Sequence, residues 1–212
     1  LHWLRIALPL AWFGVASWVL VALFYPTFAV PVRYSTVDAV SIPHRVNGVF
    51  GDSIVLLGYD LRPDSVQPGE TVTVKLYLTS SGTLTVPYSL GLWFISAVPG
   101  EEQRLTGVDT WPGRGNYPTT AWQPGELLVD TYRLRVPEQG LRPQAWVLQV
   151  TFSAPDGGGL LPLAINGDIV GDRALLGWLR TGASQAQEIP PDARLDAAAV
   201  WGGAIALRGA HT

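Results

Sequence analysis

The sequence predicts an all-β fold: an antiparallel β-sandwich, Ig-like or jelly-roll-like, preceded by one transmembrane α-helix. Three observations predict it. Residues 6–30 carry no charge. From Val46 onward, short apolar runs alternate with turn residues. No amphipathic helical pattern separates those runs, which argues for strands that pair with one another and against a βαβ arrangement.

The first element is the stretch IALPLAWFGVASWVLVALFYPTFAV. At about 1.5 Å per residue it would reach about 37 Å as a helix, more than the ~30 Å hydrocarbon core of a bilayer. It lacks the polar stripe of a core helix in a soluble domain. Trp3 lies near one end, and Tyr25 and Tyr34 near the other, as interfacial aromatics do. The stretch is too long for a signal peptide and has no clean small-residue cleavage pattern after it. Residues 1–31 therefore read as a membrane helix with its flanks. Ala7, Ala11, Gly14 and Ala16 would allow close helix approach, and Trp12 and Trp18 would pack against neighbouring helices or lipid-soluble pigments. Flanking charge is sparse (His2, Arg5, Arg33), so orientation follows from the domain behind it. That domain is expected outside the cytoplasm of a bacterial cell, on a single-pass anchor.

Residues 32–45 read as a linker, and 46–181 as the β domain. Ser53–Tyr59 is the first strand. Gln67-Pro68-Gly69-Glu70 suits a type II turn, with Pro and Gly at its centre. Thr71–Thr79 alternates strictly and places Val72, Val74, Leu76 and Leu78 on one face. Ser80-Ser81-Gly82 turns the chain, and Tyr88–Val98, continuously apolar, reads as buried on both faces. A second Pro-Gly-Glu turn at Pro124 leads into 127–136, where Leu128, Asp130, Tyr132, Leu134 and Val136 share a face. In 145–153, Trp146, Leu148, Val150 and Phe152 alternate with Val147, Gln149 and Thr151. Asp156–Gly159 reads as a hairpin-like turn, and the last strand lies within Asp172–Arg180. Seven or so strands at this spacing indicate a sandwich, with a closed barrel as the alternative.

Residues 182–196 read as a second linker. VWGGAIALRG (200–209) then repeats VFGDSIVLLG (49–58) at Val, Gly, Ile, Leu and Gly, so 197–212 reads as the possible first strand of a second β repeat. Because no methionine is present, Leu1 is not an initiator, and the chain is either processed or part of a longer polypeptide.

Gly51–Tyr59, Val66–Glu70, Gly115–Thr119, Trp122–Glu126 and Asp130–Tyr132 together resemble the C-terminal extracytoplasmic β domain of bacterial, Chloroflexi-type membrane proteins of the glycosyltransferase family 39-like kind. The resemblance spans roughly residues 15–180. It implies an outward-facing domain after a membrane helix. It does not bring the catalytic acid, which in that family lies between early membrane helices.

Composition narrows the function. Net charge is −3, so no basic field gathers nucleic acid. With no cysteine, thiolate catalysis and zinc–cysteine sites are excluded. His2, His44 and His211 have no ligand spacing, no nucleophile elbow or phosphate loop occurs, and no cofactor is expected. One segment concentrates ligand-type chemistry: Asp109, Trp111, Arg114, Asn116, Tyr117 and Trp122, where aromatic faces beside planar polar groups suit sugar stacking. The plainer reading is that Tyr117 and Trp122 plug the end of the sandwich. The sequence thus points to a non-catalytic accessory or structural subunit, with the lipid bilayer and other membrane subunits as partners. The C-terminal part of a polytopic transferase, and a carbohydrate-binding module, are the alternatives.

Overall fold

In a computed structural model, residues 12–19, 30–138, 143–182, 199–201 and 205–207 are described. They are mostly β: two large sheets enclose the main core, a smaller apolar cluster forms around Ile42, Tyr77 and Leu127, and residues 199–201 and 205–207 add a separate two-stranded pair. A short helix, α1, covers 12–19. No helix among the described residues is long and apolar enough to cross a membrane. The rest of the predicted span, including Ala7 and Ala11, lies outside them. On α1 itself Gly14, Ala16, Trp12 and Trp18 are exposed, and among the described residues nothing lies within 4 Å of a Cβ placed on Gly14.

The strands are β1 (Val32–Tyr34), β2 (His44–Phe50), β3 (Ile54–Arg62), β4 (Ser65–Val66), β5 (Thr71–Ser80), β6 (Ser89–Ser96) and β7 (Arg104–Thr110). They continue with β8 (Leu127–Arg135), β9 (Gln144–Ser153), β10 (Leu163–Ile165), β11 (Asp168–Gly171) and β12 (Ala174–Thr181). One sheet runs β1-β8-β5-β3-β2-β10-β11, antiparallel throughout. The other runs β4-β12-β9-β6-β7, with only the short β12–β4 contact parallel.

The alternation in the sequence is what closes the core. Val72, Val74, Leu76 and Leu78 of β5 are fully buried. They meet Leu90, Leu92 and Phe94 of β6 and Leu148, Val150 and Phe152 of β9 in one cluster. Each such side chain contributes about 1.5–3 kcal/mol by leaving water. Truncating Leu76 to Ala would cost about 2–5 kcal/mol, because the close-packed surroundings cannot collapse into the gap. Both Pro-Gly-Glu turns form: Glu70 N donates to Gln67 O and Glu126 N to Gln123 O, with Gly69 and Gly125 at φ +83° and +79°.

Several expectations need correction. The segment read as a linker contributes β1, whose Val32–Tyr34 pair with Val129–Leu127 of β8, and the start of β2. An edge strand needs only a few ladder bonds, so its sequence signal is weak. The Tyr88–Val98 run is fully buried on the inner side alone; Trp93 and Ile95 are half-buried on the outer face. The strands form two separate sheets, not one closed barrel. The 182–196 linker lies outside the described residues apart from Gly182.

At the C-terminal end, β13 (Ala199–Trp201) pairs with β14 (Ile205–Leu207), placing Trp201 opposite Ile205 and Val200 opposite Ala206. In β2–β3, Phe50 stands opposite Ile54 and Val49 opposite Val55. The repeated sequence therefore recurs with the same loop length and the same register.

Candidate functional site

The loop from Trp111 to Trp122 is shaped by backbone that only certain residues tolerate. Gly113, Arg114 and Gly115 all have positive φ, at +68°, +56° and +90°. A Cβ on Gly113 would stand 2.7 Å from Tyr117 Cβ and 2.8 Å from Pro31 Cδ, so glycine is required there on two counts. The loop is knitted by Gly115 N to Trp111 O (2.8 Å), Tyr117 N to Pro112 O (2.9 Å) and Asn116 Nδ2 to Gly113 O (3.3 Å).

Below the loop lies Asp130, 2% exposed, in the core-facing row of β8. Its Oδ2 accepts hydrogen bonds from Gly113 N (2.7 Å) and Tyr132 Oη (2.6 Å). The carboxylate thus pins the loop to the sheet. Burial raises its pKa above the usual carboxylate range, and the bonds from Tyr132 and Gly113 pull it part of the way back. The Tyr132 hydroxyl is pushed far up, first by burial and then by the neighbouring Asp130 charge. The sequence marked Asp130 as inward-facing but offered no role for it. A carboxylate at an inward position of an alternating strand was the available signal.

The predicted site residues separate into three groups. Tyr117 and Trp122 are buried at 8% and 3% exposure and belong to the main core, so neither ring is open to a ligand. Tyr117 Oη donates to Ala121 O (3.0 Å) and accepts from Arg33 Nη1 (3.4 Å), and the Arg33 guanidinium lies 5.7 Å from the ring centroid. Trp111, Arg114 and Asn116 lie on the outer side of the loop, with Trp111 45% exposed. Asp109 is not in the loop; it is the next-to-last residue of β7, where its Oδ1 accepts from Trp93 Nε1 at 2.9 Å. The six residues therefore do not converge on one ligand.

No reactive constellation appears elsewhere among the described residues. No three His, Cys, Asp or Glu side chains group to hold a metal there. His44 stacks on Tyr59, with centroids 4.9 Å apart. A shallow cavity of about 150 Å³ is lined by Asp52, Ser53, Thr83, Thr85 and Tyr88, with no histidine to activate its hydroxyls.

The outer face of the five-stranded sheet has a different character. Trp93 lies flat across β7 at Gly107, where a Cβ would come within 2.5 Å of the indole. Its Nε1 is held by Asp109, and the Arg104 guanidinium sits 4.8 Å from the ring centroid. Opposite Trp93 on β9 is Gln149, and Thr151 is the next outward residue.

No protein-family model matches the chain, and no curated protein matches it. Solved structures show distant similarity. The C-terminal domain of Wzt is 13% identical, covers 68% of this chain and 84% of its own length, and superposes with a TM-score of 0.43. AvmM, which catalyses macrocyclization in alchivemycin A biosynthesis, is 15% identical over 70% of this chain and 100% of its own, with a TM-score of 0.36. The Pseudomonas fluorescens alkylpurine DNA glycosylase AlkC is 11% identical over 64% of this chain and 30% of its own, with a TM-score of 0.30. No family assignment follows. Likeness at this level carries no activity across.

Proposed function

We propose that this chain is a non-catalytic accessory module: an Ig-like or jelly-roll-like sandwich held by its apolar N-terminal stretch on the extracytoplasmic side of a bacterial membrane, beside other membrane subunits. The observation that carries the non-catalytic part is the use of Asp130. This deeply buried carboxylate spends Oδ2 on Gly113 N–H and the Tyr132 hydroxyl, both structural partners. The anchoring part is supported by the uncharged run 6–30, long enough as a helix for a bilayer. The matching register of β2–β3 and β13–β14 supports reading the latter as the opening hairpin of a second copy of the domain.

Two measurements test this. The chain should stay with the membrane pellet through alkaline carbonate washing, and protease added to spheroplasts should degrade the β domain. A chain released by carbonate, or a domain protected from external protease, would overturn the anchored reading. The resemblance to glycosyltransferase family 39-like proteins supports a second reading, the C-terminal part of a polytopic enzyme. A full-length polypeptide with a single membrane span favours the accessory module, and one with many spans favours the enzyme.

A further inference from the structure

We propose that the outer face of the five-stranded sheet binds a neutral oligosaccharide, with the Trp93 and Trp178 indoles as stacking surfaces, Gln149 as the polar group beside Trp93 on the central strand and Thr151 extending the polar floor past Trp93. This goes beyond the accessory reading and does not depend on it.

Registers place the four side chains together. Trp178 stands opposite Val147, and Val147 opposite Ile95; Gln149 stands opposite Trp93, and Thr151 opposite Gly91. Residues directly opposite in an antiparallel pair share a face, and Val147, Gln149 and Thr151 alternate with the core row of β9. All therefore belong to the outer surface. β12 and β6 flank β9, and the two tryptophans are offset by two residues along it. Strand spacing of about 4.8 Å and a rise of about 3.4 Å put their Cα atoms about 12 Å apart. The face therefore suits a chain of sugar rings better than a single one.

Three features distinguish this face from an ordinary exposed one. Trp178 and its neighbour Leu175 are 56% and 58% exposed, a large apolar surface left in water. Trp93 is pre-set: Gly107 gives it space to lie flat, Asp109 fixes its Nε1, and Gly91 makes room for the Asp109 carboxylate beside Thr151. The floor is polar and more than nine-tenths buried, with Gln149 7% and Thr151 6% exposed. Among the described residues Gln149 has one weak partner, Arg173 Nη1 at 3.5 Å on its Oε1, while its Nε2 and the Thr151 hydroxyl have none. Neither atom is stranded away from solvent, so both are free to exchange water for the hydroxyls of a ligand.

The chemistry selects a saccharide. Pyranose rings present C–H faces that pack on indoles and hydroxyls that both donate and accept. A neutral chain is favoured because the face carries both signs of charge close together: Arg173 bonded to Asp172 at 2.7 Å, Asp109 on the Trp93 N–H, and Arg104 over the Trp93 ring. Arg104 rests on the Trp93 ring, and a sugar stacking there would displace it and gain its N–H donors at the rim.

The test uses the full chain in lipid nanodiscs, which avoids sugar-headed detergents. Linear hexasaccharides of glucose, mannose, galactose and rhamnose are titrated while tryptophan fluorescence and calorimetry are followed. At least one should bind saturably, and Trp178→Ala should weaken it about tenfold. Gln149→Ala should weaken it as well, with each variant's melting temperature recorded so that loss of binding is separated from loss of fold. Trp111→Ala should leave binding intact. Three outcomes would overturn the proposal: no hexasaccharide binds, Trp178→Ala binds as the parent does, or Trp111→Ala alone abolishes binding. Reversible dimerisation that Trp178→Ala prevents would also overturn it, since a second copy would then cover the face. None of these outcomes bears on membrane anchoring.

Discussion

Two buried polar groups in this domain sit in opposite circumstances. Asp130 faces the core, is 2% exposed, and has its Oδ2 hydrogen bonds supplied from within the chain by Gly113 and Tyr132. Gln149 and Thr151 are 7% and 6% exposed on the outer face, yet the Gln149 amide nitrogen and the Thr151 hydroxyl have no partner among the described residues. The residues are buried alike, but Asp130 is bonded within the chain, whereas the Gln149 amide nitrogen and the Thr151 hydroxyl keep contact with solvent. A polar group bonded inside the chain fastens the fold, whereas one that only water satisfies is open to a ligand.

That contrast is sharpest for substitutions that strand the internal partners. Asp130→Ala removes the acceptor from both Gly113 N–H and Tyr132 Oη and should cost about 3 kcal/mol in chemical denaturation. Asp130→Asn keeps an acceptor and discards a buried charge, so it should stay within about 1 kcal/mol of the parent. Equal losses for the two variants would break the distinction, because shape and not hydrogen bonding would then hold the loop.

Gly113→Ala tests the loop from its other end. The substitution forces a left-handed backbone on alanine and drives its Cβ into Tyr117 and Pro31. It should cost about 2 kcal/mol and expose Trp111 and Arg114 to faster proteolysis. An unchanged melting temperature would mean that the loop accommodates the added methyl and that glycine is not required at 113.

A smaller effect appears on acidification. Burial raises the Asp130 pKa above its unfolded value, so the native state holds this proton to higher pH than the unfolded chain does. Asp130 therefore subtracts stability as pH rises from the ordinary carboxylate range through its raised value. Subtracting the pH profile of Asp130→Asn from that of the parent should show a parent that gains relative stability as pH falls through that window. A difference of the opposite sign would show that the Tyr132 and Gly113 hydrogen bonds outweigh burial.

The smallest expected change is at the outer face. Trp178→Ala should leave the melting temperature nearly unmoved, within about 0.5 kcal/mol in stability, while sugar binding falls. A large loss of stability would make Trp178 a packing residue and erase the difference between the two regions.

Much of the inward-facing region is legible in the residues themselves. The strict alternation of Thr71–Ser80 and 127–136 gives the buried faces, because a strand with one wet side must place every second side chain inward. The two Pro-Gly-Glu turns are equally readable, since only glycine is at ease at their positive φ. The Asn166-Gly167 hairpin between β10 and β11 is absent from the sequence reading, although Asn-Gly is a strong two-residue turn signal; both residues have positive φ. β1 and β7 were not readable. Val32-Arg33-Tyr34 and Arg104–Thr110 carry few apolar residues, as edge strands with one neighbour can. Of the predicted site, Tyr117 and Trp122 look alike in sequence to Trp111, and all three are aromatics beside Pro and Gly.

The local pattern of side chains determined that strands form, where they turn and which of their faces is dry. These are properties of neighbouring residues in one segment, set by sterics and solvation. Which aromatic is buried, which carboxylate is spent, and which indole lies across which glycine were decided only by strand order and register. Trp93 meets Gly107 and Asp109 because β6 pairs with β7, and Asp130 meets Gly113 across 17 residues of chain. Such meetings depend on long-range pairing, which no short window of sequence contains.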